Sequence, residues 1–267
     1  MRTLPPFSVL LVLASASACA GAAPTVRAAA TPALRTSSLP ESCDLGRAPD
    51  GARVLVFSRT TGYRHASIPA AARAIRALGD EAGFAVQHTE DPAQFTDANL
   101  SRFAAVVFLS NTQKVLDSAG RAAFQRFVRG GGGFVAIHAS SNAELDWPWY
   151  GELLGARFLQ HPKVQTGSVH VADATHPSTR CLPAKWDRPD EWYNFKSQPA
   201  AGSHVLLTVD EKSYEGGMMG AIHPLAWYRE VEGGRAWYTA LGHFDEHYTD
   251  PVYRSHILGG ILWALKR

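Results

Sequence analysis

Gly131-Gly132-Gly133-Phe134-Val135-Ala136-Ile137-His138-Ala139-Ser140 is a glycine turn, a short apolar run and an abrupt change to His-Ala-Ser. A run of this length between turn signals suits a strand covered on both faces. Open α/β sheets bind ligands just beyond the carboxyl ends of such strands. The run therefore delivers His138 to the edge where this architecture keeps its chemistry. A lone histidine is more often a satisfied core residue, so the company His138 keeps decides its role.

Upstream, the pattern repeats. Val54-Leu55-Val56-Phe57 reads as a first strand, followed by a polar loop from Arg59 to Ile68 with Gly62, Tyr63, Arg64 and His65. Pro69 is tolerated at a helix start, and Ser67 is a candidate N-cap. Ala70 to Ala82 places Ile75 and Leu78 on one side at helical spacing, and Gly83 ends the helix. Phe84–His88 and Ala104–Leu109 read as strands, and the latter ends in Ser110-Asn111-Thr112-Gln113. Asp117 opens a helix carrying Phe124, Phe127 and Val128, which Gly130 closes. Strands alternating with helices imply right-handed crossovers and a parallel sheet. The second half differs. Val205–Val209 and Ala236–Leu241 read as strands, and Pro251–Leu265 as a closing helix with Ile257, Leu258, Ile261 and Leu265 on its buried face. Prolines and aromatics between Trp147 and Pro199 suggest loops and short elements forming one wall of a pocket.

Residues 1–18 have the grammar of an export signal: Arg2, an apolar core from Phe7 to Ala14, then small residues. The core is too short for a permanent membrane span. Cleavage after Ala18 would expose Cys19, the arrangement of a lipoprotein, and lipid on Cys19 would then be the one membrane contact. Residues 19–50, rich in Ala, Pro, Ser and Thr, read as a flexible tether. Residues 51–267 are long enough for one α/β domain. The expected location is periplasmic or extracellular. There, Cys43 and Cys181 either pair or stand as separate thiols. The net charge of +2 forms no basic stripe, so nucleic-acid binding has no electrostatic support. Nothing in the sequence fixes an oligomeric state.

A series of words in one order then resembles the trehalose-utilisation, or ThuA-like, family. They are Gly62-Tyr63-Arg64-His65-Ala66-Ser67-Ile68, Gly131-Gly132-Gly133-Phe134-Val135 with Ile137-His138, and Asp146-Trp147-Pro148-Trp149-Tyr150-Gly151. His161-Pro162, His176-Pro177, Asp190-Glu191-Trp192-Tyr193 and Leu206-Leu207-Thr208-Val209-Asp210-Glu211 follow. Gly220, His223-Pro224, Trp227 and Trp237-Tyr238-Thr239-Ala240-Leu241-Gly242-His243 complete the series. The resemblance runs from about Arg53 to Ala264. It implies a three-layer α/β/α sandwich with a mostly parallel central sheet, the class I glutamine amidotransferase-like (flavodoxin-like) fold.

In glutamine amidotransferases a strand ends in a sharp turn carrying a nucleophilic cysteine, and a later strand end supplies a histidine with an acidic partner. His138 stands at or beside that nucleophile position, and His243-Phe244-Asp245 resembles the later word. Neither place holds a cysteine, so hydrolysis of glutamine through a thioester lacks its nucleophile. Ser140 lies off the tip of the turn as a substitute. Two positions depart from the family pattern: Ile222, where relatives carry an acidic residue, and Asn142-Ala143, where they carry acidic or hydroxyl groups.

His138, His243 and Glu191 are the expected catalytic groups. Arg59, His65, Asn111, Trp147 and Tyr193 are expected to bind substrate. Two imidazoles and a carboxylate suit general acid–base work near neutral pH. They equally suit a divalent metal such as zinc, with His138, His161, His223 and His243 as its ligand set. His161 and His223 each precede a proline, so a rigid turn competes with ligation at both. The expected role is carbohydrate chemistry on trehalose or a keto-sugar or glycoside, with a small carbohydrate as ligand. The competing role is a non-catalytic sugar-binding or scaffold module, which has no need to gather the three catalytic candidates in one place.

Overall fold

The computed structural model describes Met1 and residues 43–265. The export signal, Cys19 and the tether as far as residue 42 lie outside the described residues.

The four apolar runs of the first half form β1 (Arg53–Phe57), β2 (Ala85–Thr89), β3 (Ala105–Leu109) and β4 (Gly133–Ile137). They pair in parallel, β1 between β2 and β3, and β3 beside β4. Every residue of β3 and β4 is buried, as a strand covered on both faces requires. Val135 and Ile137 have no exposed surface.

The helices follow from their ends. α1 (Ile68–Ala82) has Pro69 in its first turn and closes on Gly83 at φ 85°. Ser67 takes the N-cap position, but its hydroxyl turns away and donates to Gly242 O at 3.2 Å. The short α2 (Asp97–Leu100) is capped by Thr96, and α3 (Ser118–Arg129) by Asp117, which accepts from Gly120 N at 2.7 Å. Phe124 of α3 packs on Phe108 and Phe134 on one face of the sheet, and α4 (Pro148–Leu154) adds Tyr150 and Trp149 there. α1 covers the opposite face together with α5 (Pro251–Leu265). The result is the expected three layers.

Besides the two strands expected at 205–209 and 236–241, the second half adds others that a search for apolar runs does not reveal. β5 (Phe158–Gln160) and β8 (Asn194–Phe195) make a small separate ladder. β6 (Gln165–Val171), β7 (Lys185–Asp190), β9 (His204–Val209), β10 (Pro224–Val231) and β11 (Gly234–Thr239) join the main sheet. Its order is β2-β1-β3-β4-β11-β10-β9-β6-β7. β11 is parallel to β4, and the remaining pairs are antiparallel. The region from Trp147 to Pro199 is therefore sheet as well as loop.

α5 is buried nearly all round rather than on one face. Its two neighbouring glycines explain how. A Cβ on Gly259 would run into the backbone of Pro177 and Ser178, and one on Gly260 into the Trp237 ring. The helix is thus pressed between the main sheet and the β6–β7 connection, which suits a helix apolar on every side. At the other end of the chain, Cys43 and Cys181 form a disulfide with their Cα atoms 5.6 Å apart. Ala48 N donates to Ala82 O at 2.9 Å, so residues 43–50, expected as the end of the tether, are docked on α1.

Two histidines around α5 give stability a pH dependence. His176 and His256 are lowered by burial to about 4 and about 3. Below pH 6.5 the unfolded chain takes up protons that the folded chain refuses. This contribution is therefore complete above pH 6.5 and is lost as the pH falls toward the folded values. These two rings alone should contribute a loss on the order of 2–3 kcal/mol between pH 7.5 and pH 5.5, read from urea unfolding. His256→Gln should flatten the slope, and a flat wild-type profile would contradict the assignment.

Candidate functional site

Three parallel strands carry the site at their carboxyl ends. β1 runs into the loop that holds His65, β4 ends on His138, and β11 leads through Ala240 and Gly242 to His243. β7 lies at the far edge of the sheet, yet Asp190 and Glu191 join them. Asp190 Oδ1 accepts from Glu191 N at 3.0 Å and His243 N at 3.2 Å, and Oδ2 accepts from Gly242 N at 3.1 Å. One buried carboxylate thus fastens the end of β7 to the end of β11. Its own charge faces Arg188 Nε at 3.5 Å and His247 Nδ1 at 3.4 Å. Arg188 in turn lies over the Tyr253 ring of α5.

His138 is held in an uncommon conformation. Its φ is 54°, in the left-handed region, which costs a non-glycine residue about 1–3 kcal/mol. This is the sharp turn expected after β4. Tyr238 OH donates to its carbonyl at 3.1 Å and anchors the turn. His138 Nδ1 donates to Ala240 O at 2.7 Å. A carbonyl only accepts, so Nδ1 carries a proton, and in the neutral ring Nε2 presents a lone pair. Gly242 is required nearby: its φ is 126°, and a Cβ would strike the Tyr248 and Tyr253 hydroxyls.

Glu191 sits among imidazoles. Its Oε2 lies 3.3 Å from His243 Nδ1, 3.4 Å from His138 Nε2 and 3.6 Å from His65 Nε2, and its Oε1 lies 3.5 Å from His161 Nε2. His65, His138, Glu191 and His243 offer donor atoms that all fall within 4.8 Å of one another. His65 Nδ1 and His243 Nδ1 are buried without a hydrogen-bond partner among the described residues. Tyr193 OH lies 3.0 Å from His138 Nε2 and 3.2 Å from Glu191 Oε2. Its single proton can serve only one of them.

The electrostatics follow from burial and company. Burial alone would raise the Glu191 carboxyl, but His138, His243 and His65 together hold it far below the usual carboxylate range. Burial lowers His65 to about 4, against the pull of Glu191. Burial opposes the charged form of His243 too, but there the carboxylate prevails and its pKa is raised. Burial, reinforced by Glu191, pushes Tyr193 well above 10. The site therefore presents a carboxylate, a phenol and a neutral His65 around a basic His243.

A cavity of about 310 Å³ opens on this group, lined among others by Tyr63, His65, His161, Glu191 and Tyr193. The three expected catalytic residues converge: the His138 and His243 ring centroids are 5.7 Å apart. The donor group that the structure gathers differs from the expected metal set: it is His65, His138, Glu191 and His243. His223 does not reach it, because both ring nitrogens are taken up by Tyr193 O and Glu211. His161 stands beside Glu191 at the cavity wall, outside the four-donor group, its Nδ1 donating to Pro162 O at 2.8 Å.

Among the expected substrate-binding residues, His65 and Tyr193 line the cavity. Trp147 does not: its ring packs on Trp149 and under Arg121. Asn111 donates to Arg59 O at 2.9 Å, so this pair braces the β1 and β3 loops outside the cavity lining. Ser140 is fully buried, and its hydroxyl donates to either Phe108 O or Ile137 O, each at 2.9 Å, which removes it as a nucleophile. Asp190 was missed by the sequence reading, although it lies in the same four-residue word as Glu191.

The family described as trehalose utilisation matches residues 53–264. No curated protein matches the chain. Among solved structures, a ThuA-like protein from Bacteroides uniformis superposes with a TM-score of 0.69 at 23% identity, covering 82% of this chain and 94% of its own. Another, from Parabacteroides merdae, gives 0.66 at 19% identity, covering 81% and 91%. Likeness at that level of identity shows the fold, and the family match over most of the folded domain gives the kinship. The chain belongs to the trehalose-utilisation (ThuA-like) family, which supports a carbohydrate-related role.

Proposed function

We propose that this protein is a carbohydrate-directed enzyme whose centre is the His65–His138–Glu191–His243 group, acting with a divalent metal on a small sugar derivative. The observation that carries the reading is the convergence of four donors within 4.8 Å, two of the imidazoles keeping an unpartnered buried nitrogen. Neutral imidazole and carboxylate are the donors that zinc and its neighbours accept. The Ala240 carbonyl fixes the His138 tautomer that leaves Nε2 free to ligate. A divalent cation held there supplies Lewis-acid polarisation of a substrate oxygen. Glu191 balances positive charge, and His161 and Tyr193 reach the same space with groups able to exchange hydrogen bonds with sugar hydroxyls. Half-open aromatic walls suit the apolar face of a sugar ring.

Metal-free acid–base catalysis is favoured by two observations. The Tyr193 hydroxyl already bridges toward His138 and Glu191, and a basic His243 stands next to a carboxylate. Export is part of the proposal and is supported by the Cys43–Cys181 disulfide, a bond of oxidising compartments. Among the described residues no helix is long and apolar enough to cross a membrane.

Metal analysis of the purified protein, with activity screens on trehalose and 3-keto-glycosides, tests the reading. His138→Ala and His243→Ala should each abolish metal binding while the fold is kept. If metal content is unchanged and turnover falls by roughly 10²–10⁴-fold, the acid–base reading replaces it. No turnover in the unaltered protein, with metal content unchanged in both variants, would leave the non-catalytic binding module.

A further inference from the structure

We infer that the buried His223 and the half-buried Glu211 form an imidazolium–carboxylate bracket that positions Tyr193, and with it the hydroxyl facing His138 and Glu191. His223 immediately precedes β10, and Glu211 opens a single 3₁₀ turn after β9. The His223 side chain is fully buried. Its Nε2 lies 2.9 Å from Tyr193 O. That oxygen only accepts, so Nε2 carries a proton. On the other side, Nδ1 lies 2.8 Å from Glu211 Oε1. This oxygen already accepts from Met219 N at 2.6 Å and Gly220 N at 3.2 Å. An oxygen that receives two backbone N–H groups is stabilised as a carboxylate oxygen. A neutral His223 would aim a lone pair at it. The hydrogen-bond count therefore calls for a second proton on Nδ1, giving a charge-assisted bond to Glu211. Tyr214 OH, 2.9 Å from Nδ1, is left to accept the weaker branch of that bond.

The bracket explains why a histidine of the family words stands so near the site without entering it. Its far end holds the Tyr193 carbonyl, and the chain on either side is fastened in the same way. Asn194 receives Met218 N at 2.7 Å and donates to Gly216 O at 3.0 Å, while Gln198 donates to the Met219 and Ile222 carbonyls. The 211–223 segment is thus a brace for residues 193–198. His223 is its charged pin, and the pin holds the backbone of the same residue, Tyr193, whose side chain lines the cavity. The departure at Ile222 falls on the exposed outer side of this brace, away from the pin.

This inference rests on the proposed site for its purpose, but not for its test. Long-range proton–nitrogen correlation spectra of the metal-free protein, with ¹⁵N in the histidine rings, read the protonation of each ring. At pH 7.5 His223, assigned by its loss in His223→Gln, should show both nitrogens protonated. A neutral ring with a proton on Nε2 alone would overturn the bracket, whatever any variant does. In Glu211→Gln, His223 should turn neutral and the His138 Nε2 resonance should move as the Tyr193 hydroxyl shifts. The exposed-side His204 serves as a control. A His138 signal that stays put would overturn the positioning role. Zinc titration adds an independent arm: Glu211→Gln should weaken zinc by about tenfold or more, as loss of a supporting partner does elsewhere. Absence of zinc binding in the unaltered protein would count against the proposed metal centre and leave the ring spectra to decide the bracket.

Discussion

Glu191→Gln should remove the thermal stabilisation that zinc is expected to give the unaltered protein. A ligand present at a thousandfold excess over its Kd stabilises a folded protein by about 4 kcal/mol, which a melting curve reads directly. Glu191 is the one donor of the group with a negative charge, and four imidazole nitrogens stand 3.3–3.6 Å from its oxygens. Those distances are too long for good hydrogen bonds. Without a cation at their centre, the donors compete for too few protons, and Tyr193 has one hydrogen for two acceptors. Carboxamide in place of carboxylate removes the buried charge and the main source of affinity together. Since the carboxylate is what raises His243, the variant should also lower the His243 pKa toward the side that burial favours. A zinc-dependent shift in melting that survives the substitution would show that the metal, if bound, sits elsewhere.

The residues that announced the fold are those whose burial needs no partner. Val54–Phe57, Ala104–Leu109 and Phe134–Ile137 are apolar runs fenced by glycine or polar turns, and they became β1, β3 and β4 within a residue of the expected bounds. Asp117 and Gly83 marked helix ends because their roles depend on a few neighbouring atoms. β7 could not be read this way. Lys185-Trp186-Asp187-Arg188-Pro189-Asp190 is polar in composition, and its buried members Arg188 and Asp190 balance each other only after folding. β10 begins on a proline, and the uniform burial of α5 depends on the β6–β7 connection reaching round it.

The site was legible where the chain delivers it at strand ends. His138 and His243 follow β4 and β11, and the same reasoning applied to β1 would have placed His65 in the same donor group. His223 was misplaced because precedence before a proline says nothing of which way the ring faces. Tryptophan was a poor guide for a similar reason. Trp147 is bulky enough to line a cavity, but Trp149 and Arg121 satisfy it within its own loop. Asp190 was invisible as a functional residue because its work is on backbone N–H groups, which leave no mark in the sequence.

Asp190→Asn should destabilise the protein by about 3–5 kcal/mol, the cost of stripping one partner from a buried ion pair. Asp190 has no exposed surface, and Arg188 has next to none. None of the three guanidinium nitrogens has a hydrogen-bond partner among the described residues, so the charge of Asp190 is the main compensation Arg188 has besides the Tyr253 ring. The asparagine keeps the shape and can still accept backbone N–H groups, so most of the loss should come from the uncompensated cation. Removing that cation as well should therefore recover stability. Arg188→Met combined with Asp190→Asn is expected to be markedly less costly than the two single changes added together, because exchanging a buried pair for apolar volume is often close to neutral. The backbone clamp gives the cycle a functional side. Asp190 ties Glu191 N to Gly242 N and His243 N, so the double variant should regain stability more fully than it regains zinc affinity. A carboxamide supplies one acceptor oxygen where the carboxylate supplied two. Denaturant midpoints for the four proteins of the cycle, with zinc titrations alongside, decide the matter. Strict additivity of the two stability changes would show that Arg188 and Asp190 are not coupled, and the end of β7 would then need another explanation for its place beside β11.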